Sequence, residues 1–139
     1  MKTDYSCDVH SLKIDEPHTI ISIVSGTHFP DLGNSDVKFV GINDQNIKFL
    51  PINFAQHFAN LRRIQVTKSQ LEYITKNDFL GLTQLTHINI ENNKLKELPC
   101  GVFDTNKRLQ QLHFEENSLN KIGKNIFKPL PLLSLAHFI

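Results

Sequence analysis

The sequence predicts an α/β solenoid in which 24-residue units coil one after another, with a curved parallel β-sheet on the concave face and turns or short helical pieces on the convex face. The first supporting observation is the stretch 85–99, where Ile88-Asn89-Ile90 alternates as a short strand does and Asn93 then favours a turn. The second is that this pattern recurs every 24 residues in four units without insertion. Because one strand and one turn cannot close a core, each unit must stack on its neighbours.

Each unit has apolar residues at positions 1, 4, 6, 11 and 14 and a polar residue at position 9. The four units begin at Val37, Leu61, Leu85 and Leu109. Their position 9 is occupied by Gln45, Ser69, Asn93 and Asn117. Late in three units a Phe recurs, and we expect these three rings to stack in the core: Phe79, Phe103 and Phe127.

The pattern Leu-x-x-Leu-x-Leu-x-x-Asn-x-Leu resembles that of the leucine-rich repeat family, from Val37 to the C-terminus. The resemblance implies a leucine-rich repeat solenoid with four full repeats over residues 37–132 and the start of a fifth over 133–139. Asn106 stands where a Leu or Phe would fill the convex side, so we expect a loose turn there. Pro129 and Pro131 argue against a regular helix in the fourth unit.

Residues 1–36 do not follow the repeat, and we predict that they form an N-terminal cap over the open end of the core. Ile20–Val24 predicts a β-branched strand, and residues 25–34 predict a loop. The Tyr-x-Cys start and the Ile-rich strand resemble the N-terminal region of secreted insect leucine-rich repeat proteins. That resemblance implies an extracellular protein and a disulfide between Cys7 and a residue upstream of Met1. The residues alone favour the alternative, in which Cys7 and Cys100 are two independent thiols. The chain contains no signal peptide, so an intracellular location is the alternative.

The last unit stops within its strand, which leads us to expect a truncated chain. An uncapped strand edge can also pair with a second copy, so self-association through the C-terminal end is the alternative explanation.

Composition and motifs exclude several functional classes. The formal net charge of +1 gives no reason to expect a nucleic-acid partner, and no run approaches the ~20 apolar residues of a membrane helix. The chain has neither a Gly-rich phosphate loop nor a Gly-x-Ser-x-Gly motif, so we expect no cofactor and no enzymatic activity. Cys7 and Cys100 should lie several turns apart, too far to form a disulfide.

Side chains at positions 3, 5 and 7 should point away from the core and form columns on the concave face. A surface of mixed aromatic, charged and polar groups suits a protein partner, and Arg and aromatic residues are common interface anchors. The predicted binding residues are Phe39, Arg63, Gln65, His87, Asn89, Glu91, Gln111, His113 and Glu115.

His113 and His137 should be neighbours in one column, with Glu115 close to both, which makes a divalent metal site conceivable. The competing interpretation is a set of solvated histidines on an open surface, because repeat columns bring such residues together by chance.

The leading functional hypothesis is a non-catalytic recognition module that binds a protein partner of unknown identity through its concave face. By resemblance, its setting would be extracellular or innate-immune. The alternative is a structural segment that spaces or assembles a larger solenoid. A metal-dependent enzyme has the least support, because an open concave sheet leaves reacting groups in water.

Overall fold

The computed structural model describes residues 5–20 and 30–139, and it confirms a solenoid of parallel strands with about four turns and little helix. In chain order the strands are β1 (Ser6–Val9), β2 (Lys13–Ile14), β3 (Phe39–Asn43), β4 (Asn46–Ile47), β5 (Arg63–Thr67), β6 (His87–Asn89), β7 (Glu97–Leu98), β8 (Gln111–His113), β9 (Lys121–Ile122) and β10 (Leu135–His137). The described helices are α1 (Phe54–His57) and a 3₁₀ turn at Asn34–Asp36. Short elements are expected where each unit must turn twice within 24 residues.

One six-stranded parallel sheet forms the main wall, in the order β1-β3-β5-β6-β8-β10. Two small parallel sheets, β2-β4 and β7-β9, lie further along the turns. Backbone hydrogen bonds repeat at the repeat spacing: the Thr86 N–H donates to the Arg62 carbonyl (2.8 Å), and the Gln110 N–H donates to the Thr86 carbonyl (2.8 Å). The sequence period therefore sets the register of the sheet.

The core follows the apolar positions of the repeat. Ile64, Ile88 and Leu112 occupy position 4 of successive units and are at most 1% exposed. The position-1 and position-6 residues of the same units are equally buried. Each side chain is covered by its own turn and by the turns on either side, so stability comes from burial between neighbours.

Asn93 joins two turns through its side-chain amide. Its Oδ1 accepts hydrogen bonds from the N–H groups of Ser69 (3.0 Å) and Leu71 (3.1 Å), while its Nδ2 donates to the carbonyls of Val66 (2.7 Å) and Glu91 (2.9 Å). The backbone of a turn has no ladder partner, and this amide satisfies it.

The other position-9 side chains also form hydrogen bonds with the backbone near the turn. Asn117 accepts from the Leu95 N–H and donates to the Ile90 carbonyl. Ser69, the shorter residue, donates to the Thr67 carbonyl (2.8 Å), and Gln45 accepts from the Leu12 N–H (2.8 Å). The prediction that this position forms the turn is confirmed.

The residue just before position 9 is left-handed in every unit. Asp44, Lys68, Asn92 and Glu116 have φ between 50° and 55°. Ser11, in the N-terminal segment, has φ 56° and is followed by Leu12, whose N–H bonds to Gln45. A left-handed residue costs free energy unless it is Gly or Asn, so the recurrence shows that the turn geometry is imposed by the stacked units.

The predicted Phe stack is wrong in its last member. Phe79 and Phe103 are fully buried with ring centroids 5.9 Å apart, but the next ring against Phe103 is that of Phe114, at 6.4 Å. Phe127 is 38% exposed and contacts Phe138. In the third unit both Val102 and Phe103 are buried, whereas of the equivalent pair in the fourth unit, Ile126 and Phe127, only Ile126 is buried.

The prediction of a loose turn at Asn106 is also wrong. Asn106 is fully buried, and its Nδ2 donates to the carbonyls of Phe79 (2.9 Å) and Leu82 (3.1 Å) in the preceding turn. The amide therefore ties two convex segments together where an apolar residue would only fill space.

The described part of the N-terminal segment contributes a strand to the six-stranded sheet and a strand to one of the two small sheets. β1 pairs with β3, with Cys7 opposite Val40, and β2 pairs with β4. The boundary of the proposed cap at residue 36 stays a prediction. Most of the strand predicted at Ile20–Val24, together with the loop predicted at 25–29, lies outside the described residues.

Cys7 and Cys100 are both free thiols. Cys7 lies in β1 and is half-buried. Burial is the main cause that raises the pKa of its thiol, and the negative charge of Asp8 raises it further. The pairing of Cys7 with a residue upstream of Met1 stays a prediction.

Candidate functional site

The outward-facing side chains of the six-stranded sheet form aligned columns, which we call the concave face. Register pairs Phe39 with Arg63, Arg63 with His87, and His87 with Gln111, so these four residues lie in one row. A second row joins Gly41, Gln65, Asn89, His113 and His137 through the same pairings. The intervening residues of β3, β5, β6 and β8 are buried: Val40, Ile64, Ile88 and Leu112.

The columns leave most of the predicted binding residues accessible. Arg63 is exposed, and the others are half-buried: Phe39, Gln65, His87, Asn89, Glu91, Gln111, His113 and Glu115. The structure brings all nine onto one surface. Whether they bind a partner stays a prediction.

Phe39 is less free than its position suggested. A Cβ on Gly41 would lie 3.1 Å from the Phe39 ring and 2.7 Å from the Asp8 carboxylate, so both side chains close over the glycine. The absence of a side chain at Gly41 therefore sets how Phe39 is presented on the concave face.

One side of the concave face is strongly basic. Arg62, Arg63 and Arg108 line an open cavity of about 370 Å³ together with Gln84 and Thr86. Arg108 is held by a hydrogen bond from its guanidinium to the Gln84 Oε1 (2.7 Å). Three guanidinium groups around one cavity favour an anionic group such as a carboxylate.

His87 lies beside this basic region. Its Nδ1 is 2.8 Å from the Thr86 Oγ1, which fixes the ring. Burial, and then the positive charges of Arg63 and His113, lower the pKa of His87 below its ordinary value. At neutral pH His87 is therefore a neutral hydrogen-bonding group beside the arginines.

The other side of the concave face contains histidines and carboxylates. His137 Nδ1 lies 2.8 Å from Glu115 Oε1, and His113 Nδ1 lies 3.5 Å from the same oxygen and 3.8 Å from Glu91 Oε1. The two imidazole rings meet edge to face at 5.4 Å. The expected proximity of His113, His137 and Glu115 is therefore present.

The Glu115 carboxylate responds to these neighbours. Burial alone would raise its pKa, but its own backbone N–H, His137 and His113 form hydrogen bonds that together lower the pKa below its ordinary value. Glu115 is therefore ionised at neutral pH and presents a fixed negative charge between the two histidines.

The remaining predicted residues have more local contacts. Asn89 Oδ1 accepts a hydrogen bond from the Glu91 N–H (3.0 Å), which shapes the end of β6. Gln65 lies beside Asn89 in one row, and Gln111 lies beside His87 in the other.

Sequence reasoning missed four residues of this surface. Arg62 and Arg108 lie outside the columns yet line the basic cavity. Ser6 and Asp8 extend the two rows beyond Phe39 and Gly41. A usable signal existed for the last two, because Cys7, Val9, Leu12 and Ile14 have the spacing of positions 4, 6, 9 and 11.

Parallel strands stacked at one period, with side-chain amides bonding turn to turn, define the class of repeat solenoid proteins. A family model described as Leucine rich repeat matches residues 37–95 and 84–135, so the chain belongs to the leucine-rich repeat family.

Curated relatives agree with this assignment. The chain is 31% identical over 97 residues to osteomodulin of Mus musculus, covering 68% of the chain and 22% of that protein. It is 32% identical over 112 residues to asporin of Bos taurus, covering 81% and 30%. It is 27% identical over 108 residues to leucine-rich repeat-containing G-protein coupled receptor 5 of Rattus norvegicus, covering 77% and 12%. The chain thus spans 12% to 30% of the length of these three proteins.

A solved structure shares the fold. The chain superimposes on part of the Toll–Spatzle complex, which is described as a molecular hub in Drosophila development and innate immunity, with a TM-score of 0.68 and 24% identity. The match covers 73% of this chain and 14% of the other. Within the described residues, no helix has the length and apolar character needed to cross a bilayer.

Proposed function

We propose that the chain is a non-catalytic recognition module that binds a protein partner through its concave face. The strongest support is that accessible polar side chains align in two rows on the concave face and are not part of the buried core. The family match supports a recognition or scaffold module without enzymatic activity. Relatives include a protein named as a receptor and a chain in a complex with Spatzle.

The charges of the concave face specify the partner further. Arg62, Arg63 and Arg108 would bind a carboxylate cluster, while Glu91 and Glu115 on the opposite side would face basic groups. A partner with both charges in matching order would be oriented as well as bound, because complementary potentials fix register across an interface.

We also propose an extracellular setting of the innate-immune kind. Support comes from the Toll–Spatzle complex, which is described as a hub in development and innate immunity. The self-association expected through the C-terminal end stays a prediction, and sedimentation velocity of the purified chain would test it.

The test is capture of proteins from extracellular fluid of the source organism on immobilised chain. A triple variant removes one row of the concave face: Arg63→Ala, His87→Ala and Gln111→Ala. If the row binds the partner, proteins that the wild-type chain retains should be lost from this variant, because interface anchors typically cost more than about 1 kcal/mol each when truncated.

The matched control replaces three exposed residues outside the columns: Gln56→Ala, Lys76→Ala and Lys124→Ala. This control should retain the same proteins as the wild-type chain. Equal capture by both triple variants would contradict the concave-face proposal and favour a structural segment of a larger solenoid. If the wild-type chain retains only the proteins that an unrelated repeat protein also retains, the proposal of a recognition module is contradicted.

A further inference from the structure

Three side chains from two neighbouring turns converge on one point of the concave face. His113, Glu115 and His137 each offer a ligand atom, and these atoms all lie within 4.8 Å of one another. His113 and His137 occupy equivalent positions of β8 and β10, and Glu115 follows β8 by two residues. The backbone holds this set in place, because the Phe114 N–H donates to the His137 carbonyl (2.8 Å).

The distances suit a small tetrahedral cation. Ligands about 2.0–2.1 Å from Zn²⁺ lie about 3.3 Å from each other in a tetrahedral site. The His113 Nδ1 to Glu115 Oε1 distance is 3.5 Å, and the His137 Nδ1 to Glu115 Oε1 distance is 2.8 Å. All three ligand atoms lie within 4.8 Å of one another, so rotation of the His113 and His137 side chains would have to bring the set to that spacing.

The Glu115 carboxylate gives a second, independent indication. Its Oε1 contacts the Nδ1 atoms of both imidazoles. Its Oε2 is shielded from solvent and has no hydrogen-bond partner among the residues that the structure describes. A shielded carboxylate oxygen without a partner costs free energy, and coordination of a cation would offset that cost. Glu91 Oε1, 3.8 Å from His113 Nδ1, adds a further negative charge beside the set.

We propose that His113, Glu115 and His137 form a binding site for a divalent transition-metal ion, with Zn²⁺ as the best-fitting ion. Two imidazoles and one carboxylate are the ligand types that Zn²⁺ accepts, whereas Ca²⁺ and Mg²⁺ prefer all-oxygen sites. Three protein ligands leave the fourth position open toward the concave face. The site shares His113 and Glu115 with the proposed binding face, but its test needs the metal ion alone and no protein partner.

The test uses the purified chain and the metal ion alone. Zn²⁺ binding is measured by competition with a chromophoric chelator, and Co²⁺ binding by the visible absorption of its tetrahedral complex. In each assay the wild-type chain should bind one metal ion per chain, Zn²⁺ in the first and Co²⁺ in the second. Millimolar Ca²⁺ or Mg²⁺ should displace neither.

Three single variants remove the ligands in turn: His113→Ala, Glu115→Gln and His137→Ala. Each should weaken Zn²⁺ binding by more than about a hundredfold, since even the loss of a group that only orients a ligand costs about 10–100-fold. Thermal unfolding of each variant separates loss of ligand from loss of fold. His137 is exposed, so its variant should fold as the wild type does.

The matched control is His87→Ala, which removes a neighbouring histidine of the same concave face but none of the three ligands. This variant should bind Zn²⁺ as tightly as the wild-type chain. The proposal is overturned if the wild-type chain binds no Zn²⁺, if the three ligand variants keep wild-type affinity, or if His87→Ala loses binding to the same extent.

Discussion

The turn held by Asn93 gives the sharpest stability prediction. Replacing Asn93 with Ala removes the acceptor of two buried N–H groups, those of Ser69 and Leu71. A buried donor left without a partner costs about 1–3 kcal/mol, so the two together give a range of about 2–6 kcal/mol. We expect the free energy of unfolding to fall by about 4 kcal/mol, measured by urea unfolding followed by circular dichroism.

Two further variants separate this cause from general disruption. Asn120→Ala removes an exposed Asn side chain in the next unit and should change stability by less than about 0.5 kcal/mol. Asn93→Ser should recover part of the loss, because Ser69 forms the equivalent turn with a hydroxyl. A loss below about 1 kcal/mol for Asn93→Ala, or no recovery with Ser, would refute the role assigned to the amide.

Three other outcomes follow from the packing and the charges. Phe103→Ala should lower the free energy of unfolding by about 3–5 kcal/mol, and Phe127→Ala by clearly less, because the first ring is fully buried and the second is 38% exposed; equal losses in urea unfolding would be inconsistent with this packing. Gly123→Ala should cost about 1–3 kcal/mol, since a Cβ there would lie 2.4 Å from a backbone nitrogen of the preceding turn, while Gly33→Ala, with open space around it, should be nearly neutral by the same assay. Burial raises the pKa of Asp78 above its ordinary value of 3.8, so the folded state favours the protonated form and loses stability as the pH rises through that raised pKa. The free energy of unfolding should fall over this window relative to that of Asp78→Asn, and parallel pH profiles for the two proteins would contradict the assignment.

The solenoid could be predicted because its determinant is local and repeated. Each unit presents the same apolar spacing, and stacking of equal units fixes strand order and register without long-range information. The pairing of Gln65 with Asn89, and of Asn89 with His113, follows directly from the period of 24. The same logic placed the nine concave residues on one surface.

The errors arose where the choice depends on three-dimensional neighbours. Asn106 resembles a defect in an apolar column, yet two carbonyls of the preceding turn were within reach of its amide. Phe127 matches Phe103 in the sequence and Ile126 matches Val102, yet of the two pairs only Phe127 is exposed. Period alone does not tell whether the neighbouring turns cover a given ring.

The candidate site was only partly predictable for a similar reason. Columns follow from register, but Arg62 and Arg108 reach the basic cavity from positions outside the columns. The N-terminal segment was excluded from the repeats because Cys7 lies 33 residues (40 − 7) before its partner Val40 and so breaks the period of 24. Its spacing matches over Cys7 to Ile14, and the turn at Ser11 repeats that of Lys68.

The concave face is the central element of this account, and contact mapping tests it most directly. A photo-crosslinking amino acid is placed at Gln111, in the same concave row as Arg63 and His87, or at Lys107, an exposed residue of the preceding loop. After irradiation with the protein captured from extracellular fluid, covalent adducts should form from position 111 and not from position 107. Adducts from position 107 alone, or equal adducts from both, would contradict recognition through the concave face.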